Sequence, residues 1–326
     1  MVFQGRPAGT LFSEEDFDRR LAQARAEIVA CEEAGFCPVE GGEIAWRYHP
    51  LEGARGVVVL VHGFTEFAEK YDEMVWYLLN NGYAVFRFDL RGHGRSVRGV
   101  EDPELTHVDR FEDYVDDLDI LLKGVVLPRT GDLPVTLFGH SMGGAVVVKY
   151  LAGHPEVKIA KAILSSPMVC PQTHHFPRRL LMARTKTYAK RFGVKAKFPH
   201  SRPFNPAPAF ENSSDTSWAR FKEHIRLRCV NLCYRNSTAS VGWMQAALPV
   251  KDELLRRKTT DGIACPVLIV SCGRDTVVRN GPQRKLARHL KHCRRVFLKD
   301  AKHTPFTACQ PVIGDYYRAL FDFLAE

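Results

Sequence analysis

The sequence predicts an α/β fold in which helices flank a mostly parallel central sheet and a mainly helical cap insertion interrupts the alternation. Short apolar runs and helical patterns alternate near both ends of the 326-residue chain, an order typical of parallel sheets. The run at 57–61 is apolar at every position, as expected for a strand buried on both faces. The alternation stops between about 168 and 262, where Pro, His, Arg and Lys are frequent. We therefore predict a core made of 1–168 and 263–326 around an insertion at 169–262.

The predicted elements follow in chain order. A helix is expected over 13–34, because Ser13 begins a capping pattern and apolar residues follow at helical spacing. Further helices are predicted near 71–79, near 111–122, directly after Ser141, near 281–291, and from Pro305 or Pro311 onward. The predicted strands lie at 44–48, 57–61, 83–88, 134–138, 159–165, 266–271 and 295–298.

The segment Gly139-His140-Ser141-Met142-Gly143 lies between a predicted strand and a predicted helix. It matches the pattern G-x-S-x-G, in which a serine on a sharp strand-to-helix turn exposes its hydroxyl. Glycine two residues before and after the serine removes Cβ atoms that would collide where backbones approach closely. Ser141 is therefore the candidate nucleophile. The backbone N–H of Met142, at the start of the helix, is a candidate oxyanion donor.

A second oxyanion donor is predicted after the strand at 57–61, where the chain reads His62-Gly63-Phe64-Thr65-Glu66. Glycine at this point lets the chain turn over the carboxyl edge of the sheet, where open α/β sheets place their ligands. The candidate donor is the backbone N–H of Phe64. His62 is expected to stabilise the turn, and Glu66 to hold the loop by hydrogen bonds, since a better-placed base follows later in the chain.

Asp275 and His303 each follow a predicted strand in the last part of the chain. With Ser141 they give the order Ser…Asp…His, each residue at the carboxyl end of its own strand. A serine hydroxyl needs a base to take its proton, and the base needs an acid to fix its tautomer. The sequence therefore predicts a triad of Ser141 as nucleophile, His303 as base and Asp275 as orienting acid, which needs no metal and no organic cofactor.

The cysteine pattern and the N-terminus bear on the compartment. The nine cysteines are scattered, with no CxxC pair and no metal-ligand spacing, which indicates free thiols in a reducing environment. The first 17 residues lack the apolar stretch of a secretory signal, and no apolar run is long enough to span a membrane. We therefore expect a cytoplasmic protein without a metal site.

The positive charge of the chain is concentrated in the insertion. Residues 170–262 contain 18 Lys and Arg against 6 Asp and Glu, whereas the rest of the chain contains 28 against 31. Nine basic and no acidic residues lie between Arg178 and Arg202, and the apolar residues at helical spacing among them are Leu181, Tyr188 and Phe192. Two interpretations stay open: peripheral contact with an anionic membrane, and a merely solvated surface. No nucleic-acid recognition motif accompanies the charge, so nucleic acid is not an expected partner.

Over nearly its whole length the sequence resembles the α/β-hydrolase superfamily, and within it the branch of bacterial lysophospholipases and monoacylglycerol lipases that is grouped with serine aminopeptidase-like hydrolases. The resemblance is carried by 62–66, 70–71, 89–96, 139–143, 165–168, 273–280 and His303, and in the insertion by 212–221 and 241–247. The chain departs from the family around His303, where relatives often read Gly-x-x-His-Glu and this chain reads Asp-Ala-Lys-His-Thr-Pro. It also departs at 235–240, where relatives often carry Gly-Gly-x-Thr.

The resemblance implies an α/β-hydrolase that cleaves a carboxylic ester through an acyl-serine intermediate, with a lysophospholipid or a monoacylglycerol as substrate. Superfamily dehalogenases and epoxide hydrolases carry Asp in place of Ser141, and proline iminopeptidases carry His-Gly-Gly-Pro-Gly in place of the segment around Phe64. Two alternatives remain open: a general carboxylesterase for small soluble esters, and a catalytically silent binding protein, which would normally show a damaged triad. Apolar cap residues that suit a lipid, although each alone is more typical of a cap core, are Phe176, Leu180, Leu181, Phe204, Trp218 and Trp243.

Overall fold

A computed structural model of the chain describes residues 11–172 and 177–326. The strands are β1 Glu33–Val39, β2 Gly42–His49, β3 Gly56–Val61, β4 Tyr83–Phe88, β5 Leu105–Thr106, β6 Val135–His140, β7 Lys161–Ser165, β8 Thr238–Ala239, β9 Val267–Cys272 and β10 Cys293–Leu298. The α-helices are α1 Phe17–Ala30, α2 Asp72–Asn80, α3 Glu112–Leu121, α4 Leu127–Thr130, α5 Met142–Gly153, α6 Arg178–Phe192, α7 Trp218–Val230, α8 Val241–Ala247, α9 Val250–Leu254, α10 Arg257–Asp261, α11 Asn280–His289 and α12 Val312–Ala325.

The central sheet has the strand order β1-β2-β4-β3-β6-β7-β9-β10. β2 pairs antiparallel with both β1 and β4, and every other neighbouring pair is parallel. The predicted mostly parallel sheet flanked by helices is therefore confirmed. Because β3, β6, β9 and β10 run in one direction, the loops that follow them meet at one edge of the sheet.

The core lies on both faces of the sheet, and alternate residues of one strand belong to different sides. In β3, Val57, Val59 and Val61 pack with the cluster that contains α3 and α5, whereas Val58 and Leu60 pack with the cluster of α1, α2 and α12. All five side chains are almost inaccessible to solvent. The uninterrupted apolar pattern of this strand thus reflects burial on both faces, as predicted.

The prediction was wrong at the N-terminal helix, which ends at Ala30 and not at 34. Residues Glu33–Val39 form strand β1, at the edge of the sheet, and only Cys37 of this strand is fully buried. A half-exposed edge strand needs little apolar alternation. The sequence Glu-Ala-Gly-Phe-Cys-Pro-Val therefore gave no strand signal.

The insertion between β7 and β9 is mainly helical, with α6 to α10 and the two-residue strand β8, which pairs with β5 of the core. Arg220 of α7 anchors it, because its guanidinium binds both carboxylate oxygens of Glu73 at 2.8 and 2.5 Å. Trp243 and Leu254 pack into the main core cluster. The limits 169–262 for a separate cap stay a prediction.

Among residues 11–172 and 177–326, no helix combines the length and the apolar character that crossing a membrane requires.

Candidate active site

Ser141 occupies a strained turn between β6 and α5. Its backbone has φ +49° and ψ −114°, a left-handed conformation that is rare outside glycine. A Cβ on Gly143 would lie 2.1 Å from the carbonyl oxygen of Val61, and one on Gly139 would lie 2.7 Å from the carbonyl oxygen of Gly143. The two glycines of the motif are therefore needed for the close packing that holds the serine on its turn, as the pattern predicted.

The structure brings Ser141, His303 and Asp275 together in one hydrogen-bonded chain. Ser141 Oγ lies 2.9 Å from His303 Nε2, and His303 Nδ1 lies 2.7 Å from Asp275 Oδ2. In the consistent tautomer, Nδ1–H donates to the aspartate and Nε2 accepts from the serine hydroxyl. All three side chains are largely buried. The geometry is that of a base positioned to deprotonate a serine.

The Asp275 carboxylate is held in its ionised form. Its Oδ1 accepts the backbone N–H groups of Val277 and Val278, at 2.8 and 2.9 Å, while Oδ2 faces His303. Burial by itself would raise the pKa of Asp275, but the hydrogen bond and charge of His303 and the two backbone N–H groups bring the pKa below its ordinary value. An ionised Asp275 can orient the imidazole and stabilise an imidazolium.

The loop after β3 lies directly against the serine turn. A Cβ on Gly63 would lie 3.1 Å from Ser141 Cβ, so the neighbouring Phe64 is next to the nucleophile. Met142 is the first residue of α5, and the first N–H groups of a helix have no partner within it. The backbone N–H groups of Phe64 and Met142 therefore lie on the two segments that flank Ser141.

Glu66 fastens this loop, as the sequence predicted. Its carboxylate accepts the backbone N–H of Gly63 at 2.7 Å, the hydroxyl of Tyr71 at 2.6 Å and the ammonium of Lys70 at 2.7 Å. Burial would raise the pKa of Glu66, but Lys70, His140 and these hydrogen bonds hold it well below its usual range. Glu66 is thus a buried, hydrogen-bonded anion that fixes the loop at the wall of the site.

His62 serves as a turn-stabilising residue, which agrees with the prediction. Its Nδ1 donates to the carbonyl of Gly63 at 2.7 Å and its Nε2 accepts the backbone N–H of Leu90 at 2.9 Å. Complete burial lowers the pKa of His62, and burial lowers that of His140, beside the serine, to about 3. Both imidazoles are therefore neutral near pH 7, and His303 is the imidazole that contacts Ser141.

Sequence reasoning missed a clamp between the insertion and the loop that carries His303. The buried Asp215 accepts the hydroxyls of Thr304 and Thr307 on one carboxylate oxygen, at 2.8 and 2.5 Å. Lys302, the residue before His303, donates from its Nζ to the carbonyl of Ser213 at 2.9 Å. Of these residues, Thr304 stands where relatives often carry Glu after the histidine, and that departure was the one available signal.

A cavity of about 490 Å³ opens above Ser141 and His303, between the core and the insertion. Its lining is mixed: Phe221, Ile225 and Val277 are apolar, whereas Arg202 and Arg228 are cationic. None of the predicted substrate-contacting cap residues that the structure describes lines it, and Phe176 lies outside the described residues. Trp243 instead packs on Phe64 with ring centroids 4.2 Å apart.

One cluster in the described part of the chain has the donors to hold a metal ion: Asp119, His154 and Glu156, at the surface. None of the three lines the cavity above Ser141. The described cysteines are all free thiols.

Comparison with known proteins shows which family the chain resembles. The family described as serine aminopeptidase, S33 matches residues 52–308. Lysophospholipase L2 of Escherichia coli (strain K12) is 29% identical over 295 residues, which is 89% of this chain and 82% of that protein. A monoacylglycerol lipase of Mycolicibacterium smegmatis is 33% identical over 159 residues, 48% of this chain and 54% of that protein.

Among solved structures, a soluble variant of the monoglyceride lipase of Saccharomyces cerevisiae aligns with a TM-score of 0.71 at 19% identity, over 90% of this chain and 96% of that one. This likeness confirms the α/β-hydrolase fold. The relatives confirm the resemblance to the lysophospholipase and monoacylglycerol lipase branch. Because the family match extends over most of its length, the chain belongs to the serine aminopeptidase (S33) family of α/β-hydrolases and is an ester hydrolase of the serine type.

Proposed function

We propose that the protein hydrolyses the carboxylic ester of a single-chain lipid, a lysophospholipid or a monoacylglycerol, through an acyl-serine intermediate. The observation that carries the proposal is the continuous chain Ser141 Oγ, His303 Nε2, His303 Nδ1 and Asp275 Oδ2 at 2.9 and 2.7 Å, at the floor of a cavity. The intact triad argues against the catalytically silent alternative, since a binding protein has no need of an aligned nucleophile and base.

In the acylation half of the reaction, His303 Nε2 takes the proton of Ser141 as Oγ bonds to the ester carbonyl carbon. The carbonyl oxygen becomes an oxyanion, which the backbone N–H groups of Phe64 and Met142 stabilise. When the tetrahedral intermediate collapses, the carbon–oxygen bond to the alcohol breaks and His303 returns the proton to the leaving alkoxide. Asp275 stabilises the imidazolium in between.

In the second half of the reaction, water takes the role that Ser141 had in the first half, and Ser141 becomes the leaving group. It enters the site of the departed alcohol and loses its proton to His303 as its oxygen bonds to the acyl carbon. The second tetrahedral intermediate releases Ser141, which recovers the proton from His303. The products are a fatty acid and the deacylated alcohol, and one water molecule is consumed for each ester cleaved.

The lipid substrate is supported by the names of the relatives and by the apolar side chains of the cavity, Phe64, Phe221, Ile225 and Val277. The general carboxylesterase alternative uses the same chemistry on small esters. A panel of lysophospholipids, monoacylglycerols and short p-nitrophenyl esters separates the two, because only a lipase should prefer long acyl chains. A preference for aryl amides or peptides would contradict the proposal.

Ser141→Ala tests the catalytic assignment. We expect kcat to fall by about four orders of magnitude or more, with the melting temperature and circular dichroism spectrum little changed, since His303 is the hydrogen-bond partner of the hydroxyl among the described residues. Chelators should leave the wild-type activity unchanged. Near-normal hydrolysis of a short p-nitrophenyl ester by the Ala variant would refute the assignment of Ser141.

We further propose that the enzyme meets its substrate at anionic membranes through helix α6. Arg179, Lys186 and Lys190 are exposed and lie seven and four positions apart, so they form one stripe on the helix. The exposed apolar side chains are Leu180, Phe192 and Val194. Leu181 and Tyr188, which the sequence had placed with Phe192 on the apolar face, are half-buried and pack toward the protein.

Vesicle sedimentation tests this contact. Each Lys or Arg near an anionic surface contributes about 1 kcal/mol, screened beyond roughly 8–10 Å at physiological salt. Binding should therefore be stronger on phosphatidylserine vesicles than on neutral ones, and weaker in high salt. Reversing Arg179, Lys186 and Lys190 to Glu should abolish it and spare soluble-ester hydrolysis.

The matched control for this experiment reverses Arg284, Lys285 and Arg288, three exposed basic residues of α11 on the core. Equal weak binding of the wild type to both kinds of vesicle, or an equal loss in the α11 control, would leave α6 as a solvated surface.

A further inference from the structure

Helix α7 presents a cation to the cavity above Ser141. Phe221, Ile225 and Arg228 recur at positions i, i+4 and i+7 and line the cavity together. Two other cationic side chains line it, Lys70 and Arg202. Lys70 is already paired with the carboxylate of Glu66 at 2.7 Å, so it is neutralised from within the protein.

Arg228 has no such counter-charge. Its Nε donates to the carbonyl of Tyr234 at 3.1 Å and its Nη2 to the carbonyl of Asn236 at 2.5 Å. No carboxylate in residues 11–172 or 177–326 forms an ion pair with it, and within the same residues its Nη1 has no hydrogen-bond partner. The carboxylate of Glu104 instead accepts the backbone N–H of Phe204. Burial lowers the pKa of Arg228 to about 10, although the nearby Cys229 and Glu104 act in the opposite direction.

The surroundings of Arg228 hold it rigidly and add to its positive potential. Its guanidinium lies 4.5 Å from the ring centre of Phe204, and the guanidinium of Arg235 lies 5.6 Å from the same ring. Arg235 donates to the carbonyls of Arg228 and Cys229 and so braces the end of α7. In residues 11–172 and 177–326 neither guanidinium forms an ion pair with a carboxylate, so the two cations leave a positive potential that favours an anion nearby.

We propose that Arg228, together with Arg202, forms a subsite for the phosphate group of the substrate, so that the enzyme selects phosphate-bearing lysolipids over monoacylglycerols. The inference rests on the proposed ester hydrolysis at Ser141. Guanidinium groups suit phosphate because their planar donors match its oxygens. With Nε and Nη2 occupied by carbonyls, Arg228 offers Nη1 to the cavity, and Arg202 supplies the second cation.

The first test measures binding without any reaction. Isothermal titration calorimetry with glycerol 3-phosphate should detect binding to the wild type at constant ionic strength, and Arg228→Gln should weaken it about tenfold or more. Arg226→Gln is the matched control: it removes a guanidinium of the same helix that pairs with Glu223 and does not line the cavity. It should change the affinity less than about threefold.

Butyrate, titrated in parallel, separates a phosphate subsite from a general anion or fatty-acid site. Equal affinity for butyrate would overturn the assignment to phosphate, and so would equal losses in the two arginine variants. If Arg228→Gln fails to fold, Arg202→Gln carries the test, since Arg202 is exposed and lines the same cavity. An unchanged affinity in that variant would then overturn the proposal.

The second test uses activity. On lysophosphatidylglycerol and monoacylglycerol with the same acyl chain, Arg228→Gln should lower kcat/KM about tenfold or more on the phospholipid and leave the neutral lipid within about twofold. Equal losses on both lipids would show a structural role only and overturn the subsite. If the wild type cleaves neither lipid, the proposed function fails while the calorimetry still decides on the anion subsite.

Discussion

Asp215 should act on catalysis through His303, although it does not line up with the triad. It joins the loop before α7 to the loop after β10, and its Oδ1 accepts the hydroxyls of Thr304 and Thr307, one and four residues beyond the catalytic imidazole. The substitution Asp215→Asn keeps the shape and the acceptor oxygen but removes the charge. We therefore expect this variant to fold with a looser His303 loop.

The size of the effect follows from these contacts. A hydrogen bond to a charged group contributes about 1.5–3 kcal/mol, against about 0.5–1.5 kcal/mol for a neutral one, so two such bonds lose roughly 2 kcal/mol. The loss is smaller, about 1–2 kcal/mol, because Thr304 and Thr307 keep second acceptors in the carbonyls of Ser214 and Thr304. Because a chain of 326 residues has an unfolding entropy of about 0.7 kcal/mol/K, the melting temperature should fall by roughly 1.5–3 °C.

The assay is kcat and KM on a short p-nitrophenyl ester, with the melting temperature measured alongside. We expect kcat to fall about tenfold while KM changes less, since misplacement of the base affects the chemical step. Asp252→Asn is the control, because it removes the charge of another insertion carboxylate. Asp252 is half-exposed and pairs with Arg178, away from the loop that carries His303. It should alter neither quantity. A melting temperature lowered by Asp215→Asn with kcat unchanged would reduce the clamp to a purely structural contact.

Three further predictions concern the triad, its supports and acid stability. Asp275→Asn should lower kcat by about 10⁴-fold with the fold retained, since the amide would favour the wrong imidazole tautomer; steady-state kinetics checks this, and a loss below tenfold would contradict it. Gly143→Ala should unfold or strongly destabilise the protein, because its Cβ would lie 2.1 Å from the carbonyl oxygen of Val61, and thermal denaturation measures it. Folding lowers the pKa values of the carboxyls Glu66, Asp215 and Asp275 and of the buried imidazoles His62 and His140, so the unfolded chain binds more protons in acid. Denaturant unfolding followed against pH should show stability falling first below about pH 6.5, through the imidazoles, and further below about pH 4–4.5, through the carboxylates, with a shallower second fall in Glu66→Gln.

The parts of the fold that the sequence could predict are those where burial is uniform. β3, β4, β6 and β9 are buried at every residue, so their apolar runs stood out against the helical patterns between them. β1 failed for the opposite reason, because an edge strand with one buried residue carries no comparable pattern. The end of the first helix at Ala30 was misplaced for the same reason, since polar residues after it are compatible with a helix or with a strand.

The site divides in the same way. Ser141 was identifiable because G-x-S-x-G is a local motif, and Asp275 and His303 because each follows a strand that the sequence predicted, β9 and β10. Asp215 and Arg228 were not, since their roles arise from the packing of the insertion on the core, between residues that are about 90 and 10 positions apart in the chain. Neither contact leaves a local pattern in the sequence, because each forms only when the chain around α7 has folded.

The sequence could only count the basic residues of the insertion. The structure shows that their surroundings differ. Arg178 and Arg220 pair with Asp252 and Glu73 and fasten the insertion, so they offer little charge to a membrane. Arg228 and Arg235 bind backbone carbonyls beneath the cavity. The stripe on α6 faces solvent, as do other basic residues of the insertion such as Arg191 and Lys195. At about 1 kcal/mol per residue its three cations supply roughly 3 kcal/mol, a reversible affinity that lets the enzyme leave the surface after each encounter.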